Sequence, residues 1–340
     1  MTTMALPQLL PVNQFDHFYA GGDRIGALRG GPGGPMRPEE WIASTTARFG
    51  QELSGLSILA DGTLLRAQVA ADPLAWLGSD HVAAFGTSTE LLTKLLDPAQ
   101  RLPVHFHPNR AFARQHMGLD HGKTEAWVVL EAPTGARVGL GFRESMAADS
   151  VLDMVHRADS TALLASLHRR AVSTGDAIFV PAGLPHAIDA GILILELQEP
   201  TDLSLLLESE GFAVANEAEA SLGMGYDTML GALRLEPVPD PEQFIAHTDL
   251  TTSELRRLLP TPAERYFRAD LVTPGNPVAA GFAVLLAIAG DGALVSSNNQ
   301  LAVRRGDAVV VPHGAGDWSL RGVTAIAARP PLPIDAAGAP

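Results

Sequence analysis

The chain contains no cysteine, which excludes disulfides, thiolate metal sites and a cysteine nucleophile and leaves any metal to nitrogen and oxygen ligands. It is also poor in basic residues, with 24 Lys and Arg against 38 Asp and Glu and a formal net charge of -14. Such a balance disfavours nucleic acid and anionic membrane surfaces as partners, so an anionic substrate would need a local basic pocket. No apolar run reaches the roughly 18 to 20 residues that a spanning helix requires. The start, MTTMALPQLLPVNQF, lacks the basic and long apolar segments of a secretory leader. A soluble cytoplasmic protein is therefore expected. Two further motifs are missing. No serine sits in a Gly-x-Ser-x-Gly elbow, which disfavours nucleophilic hydrolases. The glycine-rich Gly30-Gly31-Pro32-Gly33-Gly34 carries no lysine and reads as a flexible loop rather than a phosphate cradle.

What is present suggests a β protein. At 340 residues and 46% hydrophobic composition the chain can bury a sizeable core, in two medium domains or one large one. Short apolar runs such as AWVVLE, AIFVPAG, GILILEL, FAVLLAIA and DAVVVP are punctuated by turn residues, which favours many short strands and an all-β core with inserted helices. Helices are expected at TSTELLTKLL (87–96), at DSVLDMVHRADSTALLASLH (149–168) and, after a capping-box pattern, at TTSELRRLL (251–259). The stretch from about 200 to 262 reads as helix and connector, with a boundary near 240 dividing residues 1–240 from 241–340. An internal repeat supports two units: Gly175-Asp176-Ala177-Ile178-Phe179-Val180-Pro181 recurs as Gly306-Asp307-Ala308-Val309-Val310-Val311-Pro312. The copies diverge where chemistry would sit. His186 follows the first, whereas Asp317 holds the corresponding place after the second and His313 falls elsewhere, so the second unit is expected to be structural.

The residues that carry chemistry lie in the first unit. His105 and His107 are separated by one residue, so on a strand both side chains point to one face and both can reach one ion. Glu125 opens the apolar run EAWVVLE, and His186 follows the tight turn Pro181-Ala182-Gly183-Leu184-Pro185. Three imidazoles and a carboxylate suit a divalent ion, with Zn²⁺ the leading candidate and Mn²⁺ or Fe²⁺ the others, and a site with open positions can polarise a substrate oxygen. A lone His-x-His is more often a polar strand face; the ordered combination with Glu125 and His186 raises the metal reading.

His-x-His, a Glu about twenty residues on, and a His after Gly-Asp-x-x-x-x-Pro-x-Gly resemble the two-part cupin signature. More narrowly, His105-Phe106-His107-Pro108, Gly122-Lys123-Thr124-Glu125-Ala126-Trp127, the turn Val180 to Ile188, the run Gly191 to Gln198 and Glu40-Trp41-Ile42-Ala43-Ser44 resemble segments of the class I mannose-6-phosphate isomerase family. The resemblance spans roughly residues 35 to 205 and implies two cupin jelly-roll barrels, 1–240 catalytic with helical insertions and 241–340 without metal. It places the metal on His105 (a glutamine in many members), His107, Glu125 and His186, and active-site functions on Lys123, Glu196 and Asp202, with Glu40 a weaker carry-over. Asp202 also reads as a helix N-cap before LSLLLE. One departure stands out: Leu206 occupies the place of the family's arginine, thought to orient or charge-stabilise the sugar.

The implied activity is metal-dependent aldose to ketose isomerisation, most directly of mannose 6-phosphate and fructose 6-phosphate through an enediol. A carbon-bound proton is moved to the neighbouring carbon while charge develops on the sugar oxygens, and Glu196, Asp202 and Lys123 are the candidate proton carriers and electrostatic partners. Arg110, Arg114 and Arg143 flank the metal segments and are the candidate phosphate charges. Leu206 keeps alternatives open: an isomerase of a free sugar such as mannose, lyxose or ribose, a cupin dioxygenase, or a silent metal- and sugar-binding protein. The expected partner is a small sugar or sugar phosphate, and the expected state a monomer or homodimer.

Overall fold

A computed structural model describes residues 5–297 and 299–335. It is mostly β-sheet with few helices, and among the described residues its strands form three sheets. The first has six strands in the order Ile245–His247, Asp176–Val180, Glu125–Glu131, Leu193–Gln198, Leu92–Leu96, Glu39–Ile42. The second has five, in the order Leu205–Leu206, His105–Phe106, His186–Ile188, Arg137–Phe142, Leu167–Ala171. The third has eight, seven from the C-terminal part of the chain and one, Gln8–Leu9, from the N-terminus, with the long strands Ala283–Ser296 and Trp318–Arg329 at its centre. All ladders are antiparallel, as chains of short strands joined by tight turns allow. Two strands pair with segments distant in sequence. The N-terminal strand Gln8–Leu9 pairs with Ala308–Val311 in the third sheet, and Ile245–His247 pairs with Asp176–Val180 in the first.

The core explains why the strand-rich segments are so apolar. Leu92–Leu96 and Leu193–Gln198 are central strands whose residues are all buried, so they read as continuous hydrophobic runs rather than as alternation. This accounts for one correction: residues 87–96 do not form a helix. Leu91, Leu92, Leu95 and Leu96 fit helical spacing, but a short run buried on both faces has no distinguishing period, and pairing on both sides decides for a strand. The 149–168 stretch is two helices, Ala148–His156 and Ser160–Ser166. They are broken where Ala158 adopts φ 51° and the Asp159 carboxylate accepts from Ala162 N at 2.9 Å. The segment 251–259 is not helical either. Thr251 turns back to the Asp249 carboxylate, and Arg256–Arg257 forms a short edge strand ahead of Pro260. Between 200 and 262 lie short helices at Glu217–Ala220 and Tyr226–Met229.

Both copies of the repeat start a strand in the same way. Gly175 and Gly306 each take φ 92°, and a Cβ there would lie 2.1 Å from Thr248 O and 1.9 Å from Leu28 O respectively. A glycine is required at both turns because the backbone of another segment passes where a side chain would stand.

Candidate metal centre

The first two sheets face each other across the centre, and strand register puts its residues in rows. Across the five-stranded sheet Leu206 pairs with His105, His105 with His186, and His186 with Leu140. Across the six-stranded sheet Trp41 pairs with Lys94, Lys94 with Glu196, and Glu196 with Trp127. Glu125 lies two residues before Trp127 and therefore on the same face.

His105, His107 and His186 form a cluster in which one donor atom of each lies within 4.8 Å of the others, all buried. Their outer nitrogens are fixed by backbone carbonyls. Nδ1–H of His105 donates to Pro103 O at 2.8 Å, that of His107 to Leu203 O at 2.7 Å and that of His186 to Leu184 O at 2.8 Å. This tautomer leaves each Nε2 as a bare lone pair pointing inward. The Nε2 atoms of His105 and His186 lie 3.0 Å apart, and the Glu125 oxygens lie 3.0 Å from His107 Nε2 and 3.3 Å from His186 Nε2. With the protons on Nδ1 these short separations are lone pair against lone pair or carboxylate, and His107 Nε2 and Glu125 Oε2 are buried without a hydrogen-bond partner. Such a convergence fits a cation.

Electrostatics points the same way. Burial, with Lys123 next, pushes the His107 imidazole down to about 3, and burial with the neighbouring imidazoles holds His105 well below the usual range. Burial would raise Glu125, but Lys123 and the imidazoles outweigh it and hold the carboxyl well below its ordinary value. Neutral imidazoles beside a carboxylate are the protonation states that a divalent ion takes up. Trp127 Nε1 donates to Glu125 Oε1 at 3.0 Å and orients the carboxylate.

A cavity of about 400 Å³ opens beside His105. Lys123 lies just ahead of the Glu125 strand, not within it, yet Nζ reaches Glu125 Oε2 at 3.3 Å and Ser204 Oγ at 3.4 Å and lines the cavity. Glu196 and Asp202 line it as well. Burial and the charge of Glu125 push the Glu196 carboxyl up to about 8, against the pull of Lys123 and Lys94. Asp202 caps no helix, because Leu205–Leu206 is a strand; its carboxylate accepts from Phe49 N at 3.1 Å. Leu206 is 3% exposed and lies directly opposite His105.

Glu40 is not in the cavity. It points away and is held by Arg29 through two contacts of 3.0 Å to Nε, while Glu39, one residue earlier and on the other face, lines the cavity. Arg110 turns to Glu199 at 2.5 Å and Glu90 at 3.6 Å, and neither it, Arg114 nor Arg143 lines the cavity. Beside Lys123, the cationic residues there are Lys94 and Arg48, which sequence reasoning missed. Lys94 is 2% exposed, 3.3 Å from Glu39, 3.7 Å from Glu196 and 4.5 Å from the centre of the Trp41 ring. A lysine inside the leucine-rich run Leu91 to Leu96 was the available signal, since lysine is almost never fully buried unless paired. His17 lines the cavity too, with Nε2 buried and without a hydrogen-bond partner.

No family model matches the chain. It is 28% identical over 256 residues to mannose-6-phosphate isomerase of Streptococcus mutans, covering 74% of this chain and 78% of that one. The fold matches the crystal structure of mannose 6-phosphate isomerase from Bacillus subtilis with a TM-score of 0.71 at 20% identity, over 96% of this chain and 100% of the other. It also matches a mannose 6-phosphate isomerase bound with zinc and yttrium, with a TM-score of 0.72 at 16% identity over 96% and 100% of the two chains. Among the described residues no helix is long and apolar enough to cross a membrane. The sequence likeness over three quarters of the chain and the shared fold agree, and the chain is a divergent relative, in sequence and in fold, of mannose-6-phosphate isomerases.

Proposed function

We propose that the protein is a metal-dependent aldose–ketose isomerase that interconverts mannose 6-phosphate and fructose 6-phosphate. The observation that carries this reading is the juxtaposition of a buried three-histidine cluster with a cavity lined by Lys94, Lys123 and Glu196. His105, His107, His186 and Glu125 would hold the ion, with zinc the first choice. Bound there, a divalent ion supplies Lewis-acid stabilisation of charge on the sugar oxygens.

The remaining chemistry falls to the chain. Glu196, raised by its surroundings, sits near the working pH and would accept the proton from the carbon beside the carbonyl and return it to the next carbon. A cation beside Glu125 would pull Glu196 down and favour its basic form. Lys94, held charged by Glu39 and Glu196, would donate to the oxygen on which charge develops. Arg48 at the cavity mouth rests over Phe15 and donates to Asp16 O, and with Lys123 it would meet the phosphate in place of the missing arginine. We read the two β units as cupin barrels, 1–240 catalytic and 241–340 without metal. In support, the histidine cluster lies between the six- and five-stranded sheets.

Leu206 and the carboxylates of Asp16, Glu39, Asp202 and Glu219 around the cavity favour a second reading, an isomerase of an unphosphorylated sugar. Proton NMR in D₂O separates the two. Mannose 6-phosphate and free mannose are incubated separately with zinc- or manganese-loaded protein and with His107→Ala. Metal-dependent ketose from the phosphate ester supports the proposal, turnover of mannose alone moves the assignment to the free sugar, and silence on both sinks the isomerase reading.

A further inference from the structure

A second pocket, of about 190 Å³, lies where the residues around Gly78 and His81 meet the eight-stranded sheet. Its floor carries two arginines from neighbouring strands: Arg268 of Arg268–Val272 stands directly opposite Arg329 of Trp318–Arg329. Directly opposed residues share a face with side chains a few ångströms apart, an arrangement that is unfavourable for like charges. Yet among the described residues neither arginine forms an ion pair. Arg268 Nε donates to Pro330 O at 2.9 Å, and Arg329 Nη2 donates to Ala279 O at 2.9 Å and Ala280 O at 3.2 Å. Arg329 is 7% exposed, and its Nε is buried with no hydrogen-bond partner.

The carboxylates of Asp270, Asp335 and Glu264 act on Arg268, and that of Asp270 on Arg329, only from a distance, and among the described residues none makes an ion pair with either arginine. Asp270, two residues along from Arg268, is pushed up by burial and lies beyond ion-pair distance of both. Asp80 at the rim is exposed and pairs with Ser79 Oγ at 3.2 Å. His313 also lines the pocket. A buried guanidinium with no paired carboxylate, as at Arg329, is costly, and the half-buried Arg268 opposite adds like-charge repulsion, unless an anion completes the site. Arginine also offers the planar fork that suits a tetrahedral oxyanion.

We propose that Arg268 and Arg329, with His313 beside them, form a binding site for a phosphate group at the junction of the two β units, separate from the metal centre. The group would come from free inorganic phosphate or from a phosphate ester. The site spans elements of both units, so occupancy would tie them together and raise the unfolding temperature.

The test is calorimetric titration of the metal-loaded full chain, freed of excess metal, with inorganic phosphate. Lys123→Ala separates this site from the sugar cavity, Arg268→Gln removes the more exposed of the two charges, and Arg329→Lys is the second variant should Arg268→Gln fold poorly. The expected result is phosphate binding in the native protein that persists in Lys123→Ala, with affinity at that persisting site lowered about 10-fold or more in Arg268→Gln or Arg329→Lys. Unfolding temperature should rise by about 2 °C or more with phosphate over chloride at equal ionic strength, only where the site is intact. Competition by mannose 6-phosphate in the Lys123→Ala protein assigns the source to an ester, and its absence assigns it to free phosphate. No bound phosphate, loss of binding in Lys123→Ala, or binding unchanged in both arginine variants would overturn the proposal.

Discussion

His107 makes the metal centre strict at the level of single atoms. Its Nδ1–H is spent on Leu203 O, so the only free nitrogen is the one aimed at Glu125. Replacing it with alanine removes a ligand and leaves Glu125 Oε2 facing Lys123 without an imidazole beside it. Loss of an outer hydrogen-bond partner typically weakens metal binding by about 10- to 100-fold. His107→Ala should exceed that, read as zinc retained after dialysis against a calibrated chelator. Glu196 makes the contrasting case. It touches no ligand of the ion, so Glu196→Gln should keep its metal while kcat falls by about 10²- to 10⁴-fold, the usual range for a lost acid–base group. If kcat survives that change, the proton passes through another residue. The Glu39 and Glu40 pair shows why residue assignments from sequence can slip by one. A single step along a strand turns the side chain to the opposite face. Trp41, two residues after Glu39 and over Lys94, marks the cavity face, but only once the strand and its partner are known.

At the scale of elements, much of the site was legible because its spacing is local. The His-x-His pair, the glutamate opening an apolar strand and the histidine after a Pro-Gly turn each depend on a few neighbouring residues, and the structure brings all four together. What was not legible depends on pairing between distant segments. Lys94 belongs to the site only because Leu92–Leu96 lies between Glu39–Ile42 and Leu193–Gln198, which no local pattern announces. Arg110 lay near the metal motif in sequence but faces Glu199 and Glu90 instead. The Gly-Asp turns were read for their repetition, and their necessity is now structural. Gly175→Ala would set a Cβ 2.1 Å from Thr248 O at φ 92°, so the strand edge must shift. A cost of at least about 1–3 kcal/mol is expected from the backbone strain alone, measured by urea denaturation. The kcat of the folded fraction should hold, since the turn does not line the cavity; an unchanged midpoint would show that the loop relaxes freely.

The whole molecule is sensitive to acid for a reason that can be signed. Burial is the largest influence on His17 and lowers its imidazole, while Glu39 is held far below its ordinary value because His17, Lys94 and the donors Trp41 and Tyr19 outweigh the burial that would raise it. Both groups are depressed in the folded state. In the window between folded and unfolded values the unfolded chain binds more protons, so stability rises with pH there and is lost as pH falls. The His17 contribution should fade below about pH 6.5 and that of Glu39 below about 4.3. Denaturation midpoints from pH 7.5 to 4 should therefore decline in two stages, and His17→Gln should make the first smaller, the remainder coming from the other buried imidazoles, His105 and His107 among them. A midpoint independent of pH over that range would contradict the assignment.

The packing of the N-terminal segment against the second copy of the repeat also rests on a buried charge. Arg29 grips the Glu40 carboxylate at 2.9 to 3.0 Å while Nη1 donates to Gly306 O at 2.6 Å and Nη2 to Leu10 O at 3.1 Å. One guanidinium thus joins the strand beside Lys94 to the turn that opens the second copy of the repeat. Both partners are almost wholly buried, so their attraction is largely offset by the desolvation each has undergone, and the net value of the pair is small. Breaking it is a different matter. Arg29→Met leaves Glu40 charged or protonated in a place built for a pair, and two carbonyls lose their donor, so a loss of about 3–5 kcal/mol is expected. The double variant Arg29→Met with Glu40→Leu should recover much of that loss, because an apolar pair carries no desolvation cost. Since Glu40 faces away from the cavity, the double variant should keep kcat/KM close to that of the native chain. Equal losses in the single and double variants would mean instead that the bonds to Gly306 and Leu10 hold these segments together and that the ion pair contributes little.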